Sequence, residues 1–126
     1  MTEQSNVAAA RACYEAYVSM DRAAIEVLIA QDFHFTSPRD NRIDRQAYFE
    51  RCWPGGQDIE AFEFVHLAPA GDHVFVTYEA PMRGGRRFRN TEILRLRDGH
   101  IIEVEVYFGW SLPHAAPDGG FVDGQA

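Results

Sequence analysis

With 126 residues, 46% of them hydrophobic and 25% charged, the chain is sized for one globular domain with a real core. Nineteen acidic against twelve basic residues give a net charge of −7, which works against broad contact with a phosphate backbone and so against nucleic acid as a partner. All twelve basic residues are arginines, which excludes lysine Schiff-base chemistry, and no apolar run is long enough to span a bilayer.

From Ser5 to Met20 the positions Val7, Ala10, Tyr14, Tyr17 and Val18 recur at helical spacing behind a Ser5-Asn6 pair suited to capping. This predicts a first helix with an aromatic stripe toward the core. Asp21 reads as the N-cap of a short second helix through Ile25, Leu28 and Ile29. The alternation in FHFTSP predicts a strand with Phe33, Phe35 and Ser37 on one side and His34 and Thr36 on the other, ended by Pro38; Arg39 to Arg42 reads as a loop. Asp44 caps a third predicted helix holding Tyr48, Phe49, Cys52 and Trp53, which Pro54-Gly55-Gly56 stops. Cys13 and Cys52 therefore both fall in helices. With no hydrophobic signal segment at the N-terminus, the expectation is reduced thiols in a cytoplasmic protein.

From Ile59 the pattern changes to strands. IEAFEFVHLA and HVFVTYEAPM flank an Ala70-Gly71-Asp72 turn, Arg83 to Arg86 makes the next turn, and RRFRNTEILRLRDGHIIEVEVYFGW reads as a long hairpin through Asp98-Gly99. If Asp98, Gly99 and His100 form a three-residue loop, Phe88, Asn90, Glu92, Leu94 and Leu96 share a face with Ile102, Val104, Val106 and Phe108. The other face then sets Arg89, Thr91, Ile93, Arg95 and Arg97 against Ile101, Glu103, Glu105 and Tyr107, with Arg95 across from Glu103. Residues 111–126 hold turn formers and no period, so the domain is expected to span 1–110 and the tail to be poorly ordered unless Phe121 docks. Helices followed by a run of antiparallel strands are the signature of an α+β domain with its helices on one face of a sheet.

The first hairpin face is apolar apart from Asn90 and Glu92, which makes Glu92 the leading candidate: a carboxyl buried there without a partner has a raised pKa, whereas a one-residue slip turns it to solvent. Asn90 reads as a hydrogen-bonding group for a ligand or as a polar residue at a pocket mouth. Tyr14 offers a phenol to the same interior, and Tyr78 does so if the parity of the Arg83 to Arg86 turn allows. His66 alone among five histidines sits mid-strand, as a general acid–base group or as an outward-facing residue. No helical histidine pair or Cys/His cluster signals a metal, and no nucleophile elbow or glycine-rich strand-to-helix loop is present, so neither metal nor cofactor is expected. Arg83, Arg86, Arg87 and Arg89 around Gly84-Gly85 read as a solvated hairpin tip, with an anion-binding role as the alternative.

Three stretches in this order, YEAYVSMDRAAIEVLIAQDFHFTSP, the helix after IDRQAYF, and EILRLRDGHIIEVEVYFG, resemble the nuclear transport factor 2-like superfamily over roughly residues 5–110, particularly its SnoaL-like and ketosteroid-isomerase-like branches. The resemblance implies a cystatin-like cone: a strongly curved mixed sheet wrapped around the N-terminal helices, with a pocket inside and a homodimer across the outer face. It implies too that the isomerases' helix-one tyrosine falls at Tyr14, allowing one residue missing before Asp21, and that their protonated hairpin acid falls at Glu92. Their aspartate base is replaced by Ser37, which cannot abstract a carbon-bound proton unaided. On this reading Tyr14, Ser37, Asn90 and Glu92 converge on a cavity lined by Phe33, Phe35, Val104, Val106 and Phe108 that takes a hydrophobic small molecule. Glu92 and the Tyr14 hydroxyl would donate to a carbonyl oxygen, with His66 or a water on Ser37 as base. Two classes stay open: a cofactor-free isomerase, lyase or cyclase, and a ligand-binding or dimerisation module without turnover. The outer face with Ile93, Arg95, Ile101, Glu103 and Tyr107 would be left exposed in a monomer, which is the ground for expecting a homodimer.

Overall fold

The computed structural model of the chain describes residues 2–123, which form three α-helices and one six-stranded sheet. Helix α1 (Glu3–Ser19) starts ahead of the Ser5-Asn6 pair because Thr2 caps it, its hydroxyl accepting from the Ser5 amide at 3.0 Å. Asp21 caps α2 (Arg22–Leu28) and Asp44 caps α3 (Arg45–Arg51), each carboxylate accepting from the amide three residues on, at 3.1 and 2.9 Å. Strand β1 (Ile29–Ser37) begins four residues before the predicted start, because Ile29 and Ala30 are buried and Ile29 already pairs with Ile101. The expected loop contributes strand β2 (Asp40–Asp44), and a 3-10 turn over Trp53–Asp58 follows α3. Strands β3 (Glu63–Ala70), β4 (His73–Pro81), β5 (Arg87–Arg97) and β6 (His100–Leu112) complete the chain's regular elements.

The strand order is β2-β1-β6-β5-β4-β3, antiparallel throughout except for the parallel β1–β6 pair. This is an α+β fold with a curved, unclosed mixed sheet. Its concave face buries Val74, Val76, Leu94, Leu96 and Ile101 against Ala10, Cys13 and Tyr14 of α1 and Tyr48 and Phe49 of α3. No helix of the described residues is long and apolar enough to cross a membrane.

The β5–β6 hairpin differs from its expected register at both ends. Asp98 (φ 53°) and Gly99 (φ 81°) make a two-residue turn with Arg97 opposite His100, the left-handed pair that a tight hairpin demands, in place of a three-residue loop. Leu96 then faces Ile101, and a bulge at Ile102 restores the pairing of Arg95 with Glu103, Leu94 with Val104 and Glu92 with Val106. Ile101 is consequently core rather than outer face. Arg95 and Glu103 stand opposite each other but pair elsewhere, Arg95 with Asp72 at 3.5 Å and Glu103 with Arg42 at 2.9 Å. A second bulge at Gly109 carries Trp110 across to Arg89, and the strand runs on to Leu112. Phe121 is 79% exposed and docks nowhere.

Candidate functional site

Between α1, α3, the 3-10 turn and the concave sheet lies a half-enclosed cavity of about 190 Å³. Both of the chain's cysteines and four of its five tyrosines line it, with Phe35, Phe62, Leu94, Val104 and Val106 supplying apolar wall. Glu92 projects into it from β5, between Val76 of β4 and Val106 of β6. Glu92 is half-buried, and its carboxyl opens onto the cavity. The Tyr14 hydroxyl donates to Glu92 Oε1 at 2.9 Å and the Tyr78 hydroxyl donates to Oε2 at 2.6 Å. The Phe62 ring meets both tyrosines edge-on, with centroids 4.9 Å from each, and so fixes the two phenols around the carboxyl.

Removal from bulk water raises the Glu92 pKa above the ordinary carboxyl value, and the two phenol hydrogen bonds, which favour the carboxylate, offset only part of that rise. Burial followed by the Glu92 charge pushes the Tyr14 and Tyr78 phenols upward as well. Burial does the same to the Cys13 thiol and lifts Cys52 to about 11. Glu92 is thus the lining group whose titration is moved from the ordinary carboxyl range toward higher pH. No arginine or histidine lines the cavity among the described residues, nor do three His, Cys, Asp or Glu side chains gather there or elsewhere as a metal would need.

Of the residues singled out in the sequence, the structure brings Tyr14, Phe35, Tyr78, Glu92, Val104 and Val106 to this one cavity. The others stand elsewhere. Ser37 closes the β1–β2 turn, donating to Asp40 Oδ2 at 2.8 Å and accepting from the Arg39 amide at 3.0 Å. His66 is exposed on the convex face: a bulge between Phe64 and His66 reverses the strand's parity, so that Phe64 pairs with inward Tyr78 but His66 with outward Thr77. Asn90 is buried and accepts from the Gly109 amide at 3.1 Å, pinning the second bulge instead of facing a ligand. Phe33 lies in the core behind Tyr48, with ring centroids 5.0 Å apart, and Phe108 is 53% exposed beyond the cavity.

Tyr17, Tyr48, Cys13 and Cys52 also line the cavity, although no motif in the sequence marks them as site residues. Cys13 and Tyr17 recur at i, i+4 on α1, and Tyr48 and Cys52 at i, i+4 across the end of α3, spacing that reads equally well as core. The Tyr17 and Tyr48 hydroxyls hydrogen-bond each other. Gly56 permits this arrangement, since a Cβ there would lie 2.7 Å from Tyr17 Cδ1.

Residues 10–104 match the SnoaL-like domain family. Among solved structures, an NTF2-like protein of unknown function from Mesorhizobium loti is 21% identical, with 85% of this chain and 93% of that one covered at a TM-score of 0.71. An LEH-like epoxide hydrolase from M. tuberculosis is 17% identical over 84% of each chain, with a TM-score of 0.67. A de novo designed protein with a curved β-sheet is 13% identical over 86% and 88% of the two chains, at a TM-score of 0.75. No curated protein matches in sequence. At these identities the structures attest the fold alone, and a designed protein can share it, so function has to be argued from the cavity.

Proposed function

The chain belongs to the SnoaL-like domain family, and from that premise we propose that it takes a small, mostly apolar molecule into the cone, where Glu92 transfers a proton to or from it. One observation carries the reading: Glu92 enters an apolar cavity with two phenols as its hydrogen-bond partners and no cation beside it. Other carboxylates of the sheet are met by arginines, Asp32 by Arg97 at 2.8 Å and Glu79 by Arg89 at 2.6 Å. A carboxyl kept from all such partners retains both protonation states, and its raised pKa brings the switch toward working pH.

The phenol geometry favours Glu92 as base. Both hydroxyl protons point at the carboxyl, so Tyr14 does not share with it the task of donating to a ligand oxygen. The carboxylate takes a proton from a ligand C–H beside a carbonyl: the C–H bond breaks, an O–H bond forms on Glu92, and the electron pair moves onto the carbonyl oxygen. Return of that proton to another carbon completes an isomerisation that consumes no cofactor. The cavity lies below the roughly 300–1,000 Å³ that accommodates drug-sized ligands, which favours substrates of about one ring.

Deuterium exchange into 2-cyclohexenone in D₂O tests the reading, with Glu92→Gln as the control. Exchange above the buffer rate that the variant loses supports it. Binding of the enone without exchange identifies a binding module instead, and a Glu92 midpoint near the ordinary value of about 4.3 by carbon-detected NMR removes the basis for proton transfer.

The convex face of the sheet exposes Phe75, Tyr107 and Trp110 beside Thr77, Thr91 and Ile93. This outward apolar surface supports a homodimer formed across it.

A further inference from the structure

We infer that the Tyr17–Tyr48 hydroxyl pair is the cavity's oxygen-binding subsite, presenting one O–H to the carbonyl oxygen of a small ketone or enone whose acidic C–H meets Glu92. The inference rests on the proton-transfer reading of Glu92 and adds a substrate class to it.

A count of protons leads there. Four phenols line the cavity, and two of them, Tyr14 and Tyr78, give their hydrogens to Glu92. The other two share one hydrogen bond, and neither hydroxyl has a further hydrogen-bond partner among the described residues. Two hydroxyls carry two hydrogens, so one hydrogen of the pair is uncommitted whichever oxygen donates. No other acceptor among the described residues lies within hydrogen-bond distance of it: Tyr48 is packed against the rings of Phe33, Phe35 and Phe49 at 5.0, 5.1 and 5.5 Å, and Tyr17 against Trp53 at 4.9 Å. The cavity is what remains, and an O–H that accepts a hydrogen bond from its neighbour is the more polarised donor for it.

The cavity therefore has two chemically different poles, a proton acceptor at Glu92 and a neutral donor at the tyrosine pair. A carbonyl compound with an adjacent C–H satisfies both. A carboxylate ligand would meet the Glu92 charge with no arginine in the lining to offset it. A hydrocarbon would leave the free hydroxyl hydrogen without an acceptor, a cost that discriminates against ligands lacking the oxygen. During proton abstraction the negative charge grows on the oxygen held by the pair, where a fixed donor stabilises it.

The test uses cyclohexanone labelled with ¹³C at the carbonyl, together with methylenecyclohexane, which has its shape without its oxygen. Relative to the hydrocarbon, wild-type protein should bind the ketone roughly three- to tenfold more tightly than the Tyr17→Phe/Tyr48→Phe variant does, and the bound carbonyl stretch should fall below its frequency in hexane. The double variant Tyr17→Phe/Tyr48→Phe removes both partners of the mutual bond and so orphans neither, which leaves the fold intact; it should lose both the preference and the band shift. The wild-type band alone already decides: a stretch at the hexane frequency overturns the inference, as does a shifted band that the double variant keeps, or the absence of ketone binding. Glu92→Gln separates the two readings. If it abolishes deuterium exchange while the tyrosine variants leave the band untouched, the oxygen subsite fails and the base stands. If exchange ignores Glu92 while the band follows the tyrosines, the base fails and the oxygen subsite stands.

Discussion

Replacing Glu92 by Gln reports the state of its carboxyl through stability as well as through chemistry. Because the folded pKa lies above the unfolded one, the native protein holds a proton at pH values where the unfolded chain has released it. The contribution is full below the ordinary carboxyl value and is lost as pH rises to the raised folded value, beyond which the curve is flat. One proton sets the limiting slope at about 1.4 kcal/mol per pH unit. With about 2.1 cal/mol/K of unfolding entropy per residue over 126 residues, one pH unit at that slope lowers Tm by about 5 °C. The amide of Gln can accept from one phenol and donate to the other, so it keeps the packing while removing the titration. Asp32 and Glu79, whose pKa values Arg97 and Arg89 respectively depress, make stability rise with pH, but they are present in both proteins and cancel in the difference. The measurement is the difference in unfolding free energy, wild type minus Glu92→Gln, across about pH 4 to 8. It should fall with increasing pH. A flat difference, or one that rises, would mean that the folded state prefers the carboxylate and would refute the reasoning.

Tyr78→Phe deletes the shorter of the two donors that favour the Glu92 carboxylate, so the Glu92 midpoint in carbon-detected NMR should move further up, and more than in Tyr14→Phe; an unchanged midpoint would dissociate the phenol from the acid. Its cost in stability should be about 1–2 kcal/mol by chemical denaturation. Gly109→Ala drives a Cβ into the Arg89 carbonyl oxygen, a side-chain atom against backbone that cannot easily yield. It should destabilise by more than about 2 kcal/mol and disturb the Asn90 side-chain resonances, and a wild-type denaturation midpoint would show that the bulge is not required. Tyr107→Asp puts a charge on the convex face at a residue 52% exposed in the single chain. Light scattering should show a dimer for wild type and a particle near 14.3 kDa for the variant, whereas monomers in both cases would remove the interface.

What could be seen in the sequence, and what could not, divides along the parity of the strands. Alternation sets Glu92 opposite Val106 on an inward face only for one register of the hairpin, and a one-residue slip would have turned it to solvent; the structure has the inward register. The class of fold is likewise legible, since helical spacing ends at the Pro54-Gly55-Gly56 stop and strand-like composition follows it. Bulges escape this reading: each adds one residue and reverses which side the next residues face, with nothing in propensity to announce the one at Val65 that sends His66 outward or the one at Ile102 that lets Ile101 inward. Gly109 is different, because a glycine inside a strand is itself a bulge signal, and following it would have moved Trp110 to the outer face and given Asn90 its structural partner. The helices hid their share for another reason. A stripe of Cys13, Tyr14 and Tyr17 facing Tyr48 and Cys52 has the spacing of core, and only its composition, hydroxyls and thiols where leucine and valine would fill space more tightly, marks a wall that faces a void. That same composition explains how Glu92 is accommodated without a cation. Twelve arginines are spent on ion pairs, ring contacts and solvent outside the cavity, while Glu92 is met by neutral phenols whose own pKa values are driven upward, so its charge is set by hydrogen bonds and desolvation rather than by a counter-ion. A proton arriving on or leaving such a carboxyl breaks no ion pair, which is the physical condition for one group to serve as base and then as acid within a single turnover.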